Sequence, residues 1–234
     1  FVAFKLPNFF RRLFAEGAFN AAFVPLFSRR LAGEGLVAAQ IFAVSVLSAM
    51  VAFLFVFVTL LQIAMPVLMY GFAPGFTGDP EKFQLAVELT RITFPYLLFI
   101  SLVSLLGGVL NSLGRFAAAA ATPIILNIVL IGALLGATPF LPTAGHALAW
   151  GVAVAGAAQL VWLMIACRRA GMVLPLHRPR LSPGVRRVLR LMLPGAVGAG
   201  VVQINLLIDI VIASLLPTGA ISYLYYADRV NQLP

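Results

Sequence analysis

The chain has 234 residues, 62% of them hydrophobic and only 10% charged, with a mean hydropathy of +1.05. A soluble domain carries about 45–50% apolar and about 25% charged residues, so this composition excludes a soluble fold and indicates a polytopic membrane protein. The net charge of +9 does not point to nucleic acid, because the basic residues gather at the ends of apolar runs, where membrane topology requires them.

Residues 1–27 (FVAFKLPNFFRRLFAEGAFNAAFVPLF) are long and apolar enough to cross a bilayer, which takes about 20 residues, yet they contain Lys5, Arg11, Arg12 and Glu16. A charge at the centre of a membrane helix costs roughly 2.5–3.5 kcal/mol and persists where it faces protein, water or a charged ligand. At 100° per residue, Lys5, Asn8, Arg12, Glu16 and Asn20 share one side of a helix, with Arg11 at the flank of that stripe. The opposite side is Phe, Leu, Ala and Val, so one face suits lipid or packed helices and the other a wet, cationic cavity. Arg12 and Glu16 are i,i+4 neighbours able to pair, and Pro7 frees a backbone carbonyl and can kink the helix. Snorkelling to a helix end accounts for Lys5. It accounts poorly for Arg11 and Arg12, which lie about 16 residues, or roughly 24 Å, from the end of the run.

Residues 28–35 (SRRLAGEG) read as a short polar loop, followed by an apolar run over 36–70 that exceeds one span and is bent near its end by Pro66. Residues 71–84 (GFAPGFTGDPEKFQ) form a Gly/Pro-punctuated loop. The span over 85–113 opens with Glu88 and Arg91 as an expected i,i+3 pair. It contains Pro95 and offers Ser101, Ser104, Gly107 and Gly108 for close helix contact. Spans follow over 122–140 and 147–166, separated by an almost uncharged loop holding His146. The lone Cys167 rules out a disulfide within the chain, and His146 and His177 read as isolated loop residues unsuited to a metal site. Residues 167–190 carry seven arginines, with Ser182-Pro183 as an N-cap and first-turn proline opening the span to about 216. Within that span Asp209, preceded by Gln203 and Asn205, is a lone carboxylate that, if buried, must be paired, protonated or bound to a cation. A last helix starts near Tyr223 and carries Asp228 and Arg229.

These are seven helical segments, the last incomplete. Alternating the loops between sides collects Arg29, Arg30, Arg115 and the seven arginines of 167–190 on one side, ten in all, against Lys82 and Arg91 on the other. The positive-inside rule makes the first side cytoplasmic. The arginine-rich segment reads first as a topology anchor, and a specific anionic-lipid site is the sharper alternative. The chain starts with Phe and stops inside a helical pattern, so it reads as a fragment. A further helix is expected before Phe1 if the native N-terminus is cytoplasmic.

KLPNFFRRLFAEGAFNAAFVPLF, the APGF of 73–76, the RITFPYLLFISL of 91–102 and the YYADR of 225–229 together resemble the MurJ/MviN family of bacterial lipid II flippases, within the multidrug/oligosaccharidyl-lipid/polysaccharide exporter superfamily. The blocks occur in family order over the whole chain. The resemblance implies an all-α polytopic transmembrane helix bundle. The chain would supply helices two to seven and the start of the eighth of a two-lobe, fourteen-helix transporter. Residues 1–190 would form an incomplete N-terminal lobe with an arginine-rich cytoplasmic linker at 167–190, and 191–234 would begin the C-terminal lobe. It implies a multi-pass protein of the bacterial inner (cytoplasmic) membrane that is not an enzyme. Its activity would be to move the lipid-linked peptidoglycan precursor, lipid II, to the outer leaflet by alternating access. By the family motif, Arg11 and Arg229 match cavity arginines and Glu16 an acidic cavity residue, with Arg12 adjacent and Asn8 on the same stripe. Asp209 matches a position that helps bind sodium in some members, so coupling to sodium or protons is implied; no cofactor is. Expected partners are lipid II and membrane lipids.

Other readings stay open on the residues alone. Another exporter of the superfamily, such as a polysaccharide-lipid flippase or a multidrug antiporter, shares the architecture, although a drug-cation antiporter favours acidic cavity faces. A membrane enzyme acting on lipid-linked sugars would need clustered acid/base or metal groups, against which stand seven Asp and Glu in all. A purely structural subunit would not need the cationic stripe.

Overall fold

Fifteen prolines in a helical membrane chain set a problem: each one inside a helix removes an N–H and strands the carbonyl four residues earlier. In a bilayer that carbonyl must find another donor. The computed structural model describes residues 2–12, 17–217 and 219–231, excluding the side chains at 199, 202, 203, 206, 207, 221, 225 and 228–231. Its α-helices are α1 (Val2–Arg11), α2 (Ala18–Ile63), α3 (Met65–Phe72), α4 (Pro80–Thr93), α5 (Tyr96–Ser112), α6 (Phe116–Ala120), α7 (Thr122–Gly136), α8 (Ala144–Arg169), α9 (Pro183–Leu215) and α10 (Ala220–Asn231). Short 3₁₀ turns occupy Pro74–Phe76 and Thr138–Phe140. No strand occurs among the described residues. Four stretches, Ala18–Ile63, Pro80–Ser112, Phe116–Gly136 and Ala144–Arg169, are long and apolar enough to cross a membrane. The chain is a multi-pass membrane protein.

Each expected segment is helical, but several boundaries move. The first run is two helices, since α1 ends at Arg11 and α2 starts at Ala18. The loop expected over 28–35 is helical up to Glu34. Only Gly35 leaves helical geometry, at φ 85° and ψ 179°, a conformation open to glycine and costly for other residues. The helix expected near 85 starts at Pro80, because Asp79 caps it by accepting from the Lys82 N–H at 3.1 Å. Ser182 caps α9 in the same way, accepting from the Val185 N–H at 3.3 Å. His146 is not in a loop: it sits buried in the first turn of α8, whose N-cap is Thr143. Its Nδ1 lies 2.9 Å from Thr143 Oγ1 and its Nε2 3.4 Å from Glu88 Oε1, tying α8 to α4. Glu88 therefore faces His146 rather than Arg91.

Two apolar clusters hold the helices together. One gathers Phe23, Phe27 and Phe42 of α2 with Leu105, Leu106 and Val109 of α5, Leu163 and Cys167 of α8, and Val185 and Val188 of α9. The other joins Val2 and Leu6 of α1 to Met65 and Met69 of α3, and to Val87, Phe94 and Leu97. Small and hydroxyl residues bring α2 and α5 together: Asn20 Nδ2 donates to Ser104 Oγ at 2.9 Å, and Ser28 Oγ to Ser112 Oγ at 3.2 Å. A Cβ on Gly108 would come within 3.1 Å of Val24 Cγ2, the close approach expected of such residues. Helix α7 buries no residue, and its Ile124, Ile128 and Leu135 are exposed, as suits a helix flanked by lipid.

The proline carbonyls are met by specific donors. Pro7 strands the Ala3 carbonyl, and Thr93 Oγ1 donates to it at 2.8 Å. Pro123 strands that of Ala119, which accepts from Thr122 Oγ1 at 2.8 Å. Pro66 and Pro95 are solved jointly. Pro66 strands the Gln62 carbonyl and Pro95 that of Arg91. Gln62 Nε2 donates to the Arg91 carbonyl at 2.8 Å, and Arg91 Nε donates to the Gln62 carbonyl at 3.3 Å. Each residue serves the other's proline gap. Gln62→Leu should therefore destabilise the protein by about 1–2 kcal/mol, the cost of one unsatisfied carbonyl. In a Pro95→Ala background, where an N–H returns for the Arg91 carbonyl, the loss should be much smaller. Thermal unfolding of the four variants in detergent tests this; equal losses in both backgrounds would reject the clasp.

Candidate functional site

α1 carries the residues singled out for a cationic cavity. Its rotation is fixed by aromatic contacts on the opposite side. Phe10 meets Phe57 at 5.2 Å and Phe94 at 6.0 Å between ring centroids, both near perpendicular, Phe9 meets Phe72 at 6.3 Å and Phe4 meets Tyr96 at 6.3 Å. Such pairs add about 0.5–1.5 kcal/mol each beyond burial. Val2, Leu6 and Pro7 are buried on this side, and the Thr93 hydroxyl holds the Ala3 carbonyl. The helix is thus pinned along its apolar face by α2, α3, α4 and α5. Its polar face turns away from the core, with Lys5, Asn8 and Arg11 half-buried and Arg12 exposed.

Asn8 and Arg11 come together: Arg11 Nε donates to Asn8 Oδ1 at 3.0 Å. The i,i+3 contact is local, so it follows from the helix itself. It limits rotation of a long side chain without neutralising its charge, which prepares a guanidinium for an anionic ligand. Arg12 lies at the end of α1, where the backbone departs from regular α-helix. Glu16 lies outside the described residues, and so does its pairing with Arg12. Arg229 falls on α10, with its side chain outside the description.

Two expectations about the polar face are corrected. Asn20 does not continue the stripe of Lys5, Asn8 and Arg12. Its side chain turns into α5 and donates to Ser104, because separate helices on either side of residues 12–17 no longer share one helical phase. Asp209 is not a buried carboxylate. α9 packs one face on α2 and presents Ile204, Asn205, Ile208, Asp209 and Ile212 exposed on another.

The structure adds a contact that the sequence reading missed. The 3₁₀ turn Pro74–Phe76 seats on the end of α9, where the Gly75 N–H donates to Ser214 Oγ at 3.2 Å. A Cβ built on Gly75 would lie 1.8 Å from the Ser214 carbonyl oxygen, so no side chain fits. Phe76 is buried beside it, under Lys82 Nζ at 4.4 Å from its ring centroid. Glycine within APGF is the only signal in the sequence, and it does not name the distant partner.

Comparison with known proteins gives one consistent result. The family model described as "Lipid II flippase MurJ" matches residues 1–234. A "Probable lipid II flippase MurJ" of Rhizobium tropici is 48% identical over 240 residues, covering 100% of this chain and 44% of the relative. A "Lipid II flippase MurJ" of Burkholderia cenocepacia is 38% identical, covering 100% of this chain and 46% of its own length. A solved structure, "Lipid II flippase MurJ, inward closed conformation", superposes with a TM-score of 0.73 at 28% identity, over 100% of this chain and 48% of its own. The chain spans just under half the length of the curated relatives it matches.

Proposed function

We propose, from the premise that this chain belongs to the lipid II flippase MurJ family, that the protein containing it moves lipid II from the inner to the outer leaflet of the bacterial cytoplasmic membrane. The reaction is transport, with no covalent bond made or broken. Lipid II joins a pyrophosphate and a disaccharide peptide to a long polyprenyl tail. A cationic face at membrane depth offers the head group partners, while the tail remains in lipid. Arg11 binds the pyrophosphate, since a guanidinium fork meets two phosphate oxygens at once, and Asn8 orients it. Arg12, Glu16 and Arg229 belong to the same cavity in this reading. Asp209 is its candidate for cation coupling, by sodium or by protons. Residues 1–190 serve as the N-terminal lobe, 167–190 as its cytoplasmic linker and 191–234 as the start of the second lobe, and the two lobes rock about the midplane site.

The observation that carries the reading is the half-buried Asn8–Arg11 pair on the face of α1 turned away from both apolar clusters. Purified full-length protein should bind lipid II more tightly than polyprenyl monophosphates lacking the disaccharide peptide. Equal affinity for all polyprenyl lipids would point instead to another exporter of the superfamily.

A further inference from the structure

Apart from the α1 face, one cavity on the arginine-rich side combines cations, hydroxyls and an apolar wall. The segment following α8 runs extended across the second arm of α2 (36–63). Two hydrogen bonds fasten it there: Gln40 Nε2 donates to the Val173 carbonyl, and the His177 N–H donates to Ser48 Oγ at 3.0 Å. Ser48 is buried, so the second fastening lies under the segment. Between segment and helix is a groove of about 540 Å³, with Ile41 and Val44 on the helix side and His177, Arg178 and Arg180 on the other. Arg178 and Arg180, two apart in extended backbone, project to the same side. Among the described residues neither guanidinium has a carboxylate partner, and no acidic residue lines the groove.

A topology anchor needs positive charge near the membrane surface, but it needs neither a groove nor a segment clamped to a helix. The groove begins about five residues, roughly 8 Å, from the Gly35 break and continues for about two turns of α2. It therefore runs from the head-group layer, only several ångströms deep, into the hydrocarbon. Ile41 is 63% exposed and provides the lipid-side wall. We infer that this groove is a binding site for an anionic glycerophospholipid of the cytoplasmic leaflet. Its phosphate lies between Arg178 and Arg180, and an acyl chain lies along Ile41 and Val44. The inference stands whether or not lipid II is the cargo.

The test uses full-length protein in nanodiscs and measures retention of phosphatidylglycerol over phosphatidylcholine, comparing wild type, Arg178→Gln/Arg180→Gln and Arg186→Gln/Arg187→Gln. Both variants lose two positive charges from the same cytoplasmic stretch, but Arg186 and Arg187 lie in the first turn of α9, outside the groove. At about fivefold per arginine, the groove variant should bind phosphatidylglycerol about thirtyfold more weakly, and the control should keep wild-type affinity. Equal loss in both variants would mean a diffuse basic surface, and no loss in the groove variant would mean no site; either overturns the inference. Soluble glycerol phosphate should bind far more weakly than the lipid. Matching affinities would remove the acyl chain from the proposal.

Discussion

Full-length protein carrying Arg11→Ala will fail to support growth of cells depleted of their own flippase, at a protein level equal to wild type. The side chain is half-buried on a helix whose other face is locked by five aromatic rings and the Thr93 hydroxyl, so its loss leaves the packing of α1 intact. What disappears is a charge-assisted, bidentate contact, for which each hydrogen bond contributes about 1.5–3 kcal/mol. Lipid II affinity should fall by one to two orders of magnitude. Arg11→Lys should restore binding only in part, because the ammonium keeps the charge and lacks the planar fork. Asn8→Ala should weaken binding about fivefold through loss of one neutral hydrogen bond, about 1 kcal/mol. Normal growth of Arg11→Ala cells at normal protein level would reject the role given to this residue. Equal binding by the Arg11→Lys variant and wild type would reject the bidentate contact while leaving a simple charge effect.

The helices and the cationic face were legible in the sequence because both are encoded over short distances. Apolar runs longer than a bilayer is thick identify spans, and Ser182-Pro183 marked a helix start that the structure bears out. Asp79-Pro80 carried the same signal and was passed over among the glycines and prolines of 71–84. The break after Arg11 was not legible, and it mattered: a stripe continued through Asn20 assumed one unbroken helix, whereas Asn20 belongs to the α2–α5 contact. The prolines were read as kinks, with a freed carbonyl foreseen at Pro7. Their donors could not be read, because Thr93 lies 90 residues from Ala3, and Gln62 lies 29 from Arg91. Sequence announces that such a carbonyl needs a partner; only the packing of α1 on α4, and of α2 against α4, selects one. Asp209 was misjudged for the complementary reason. An apolar sequence environment fixes depth in the membrane and does not say which face of a helix has a neighbour.

Gly75→Ala will destabilise the protein, while Gly71→Ala, four residues earlier, will not. A Cβ at Gly71 meets nothing within 4 Å, and that residue is helical, so alanine there should be neutral or stabilising by about 0.5–1 kcal/mol. At Gly75 the added carbon would sit 1.8 Å from the Ser214 carbonyl oxygen, 2.4 Å from its carbonyl carbon and 2.9 Å from the Leu215 nitrogen. These are backbone atoms at the end of α9 and cannot rotate aside as a side-chain tip would. Relief requires the Pro74–Phe76 turn to leave α9, which breaks the Gly75 N–H to Ser214 Oγ hydrogen bond and uncovers Phe76. Forced expansion of a packed contact costs about 1–3 kcal/mol, more where backbone must move. The consequence reaches beyond stability. By the charge count this turn lies on the non-cytoplasmic side, and it joins the α3–α4 connection to the end of α9. In an alternating-access cycle the alanine variant should therefore favour states in which that side is open. A cysteine at Ala213, 6% exposed beside the contact, reports this directly. A membrane-impermeant maleimide should label Ala213→Cys slowly in the Gly75 protein and faster with Gly75→Ala. Matching labelling rates and matching melting temperatures for the Gly71 and Gly75 variants would show that the turn does not bear on α9 in the working protein.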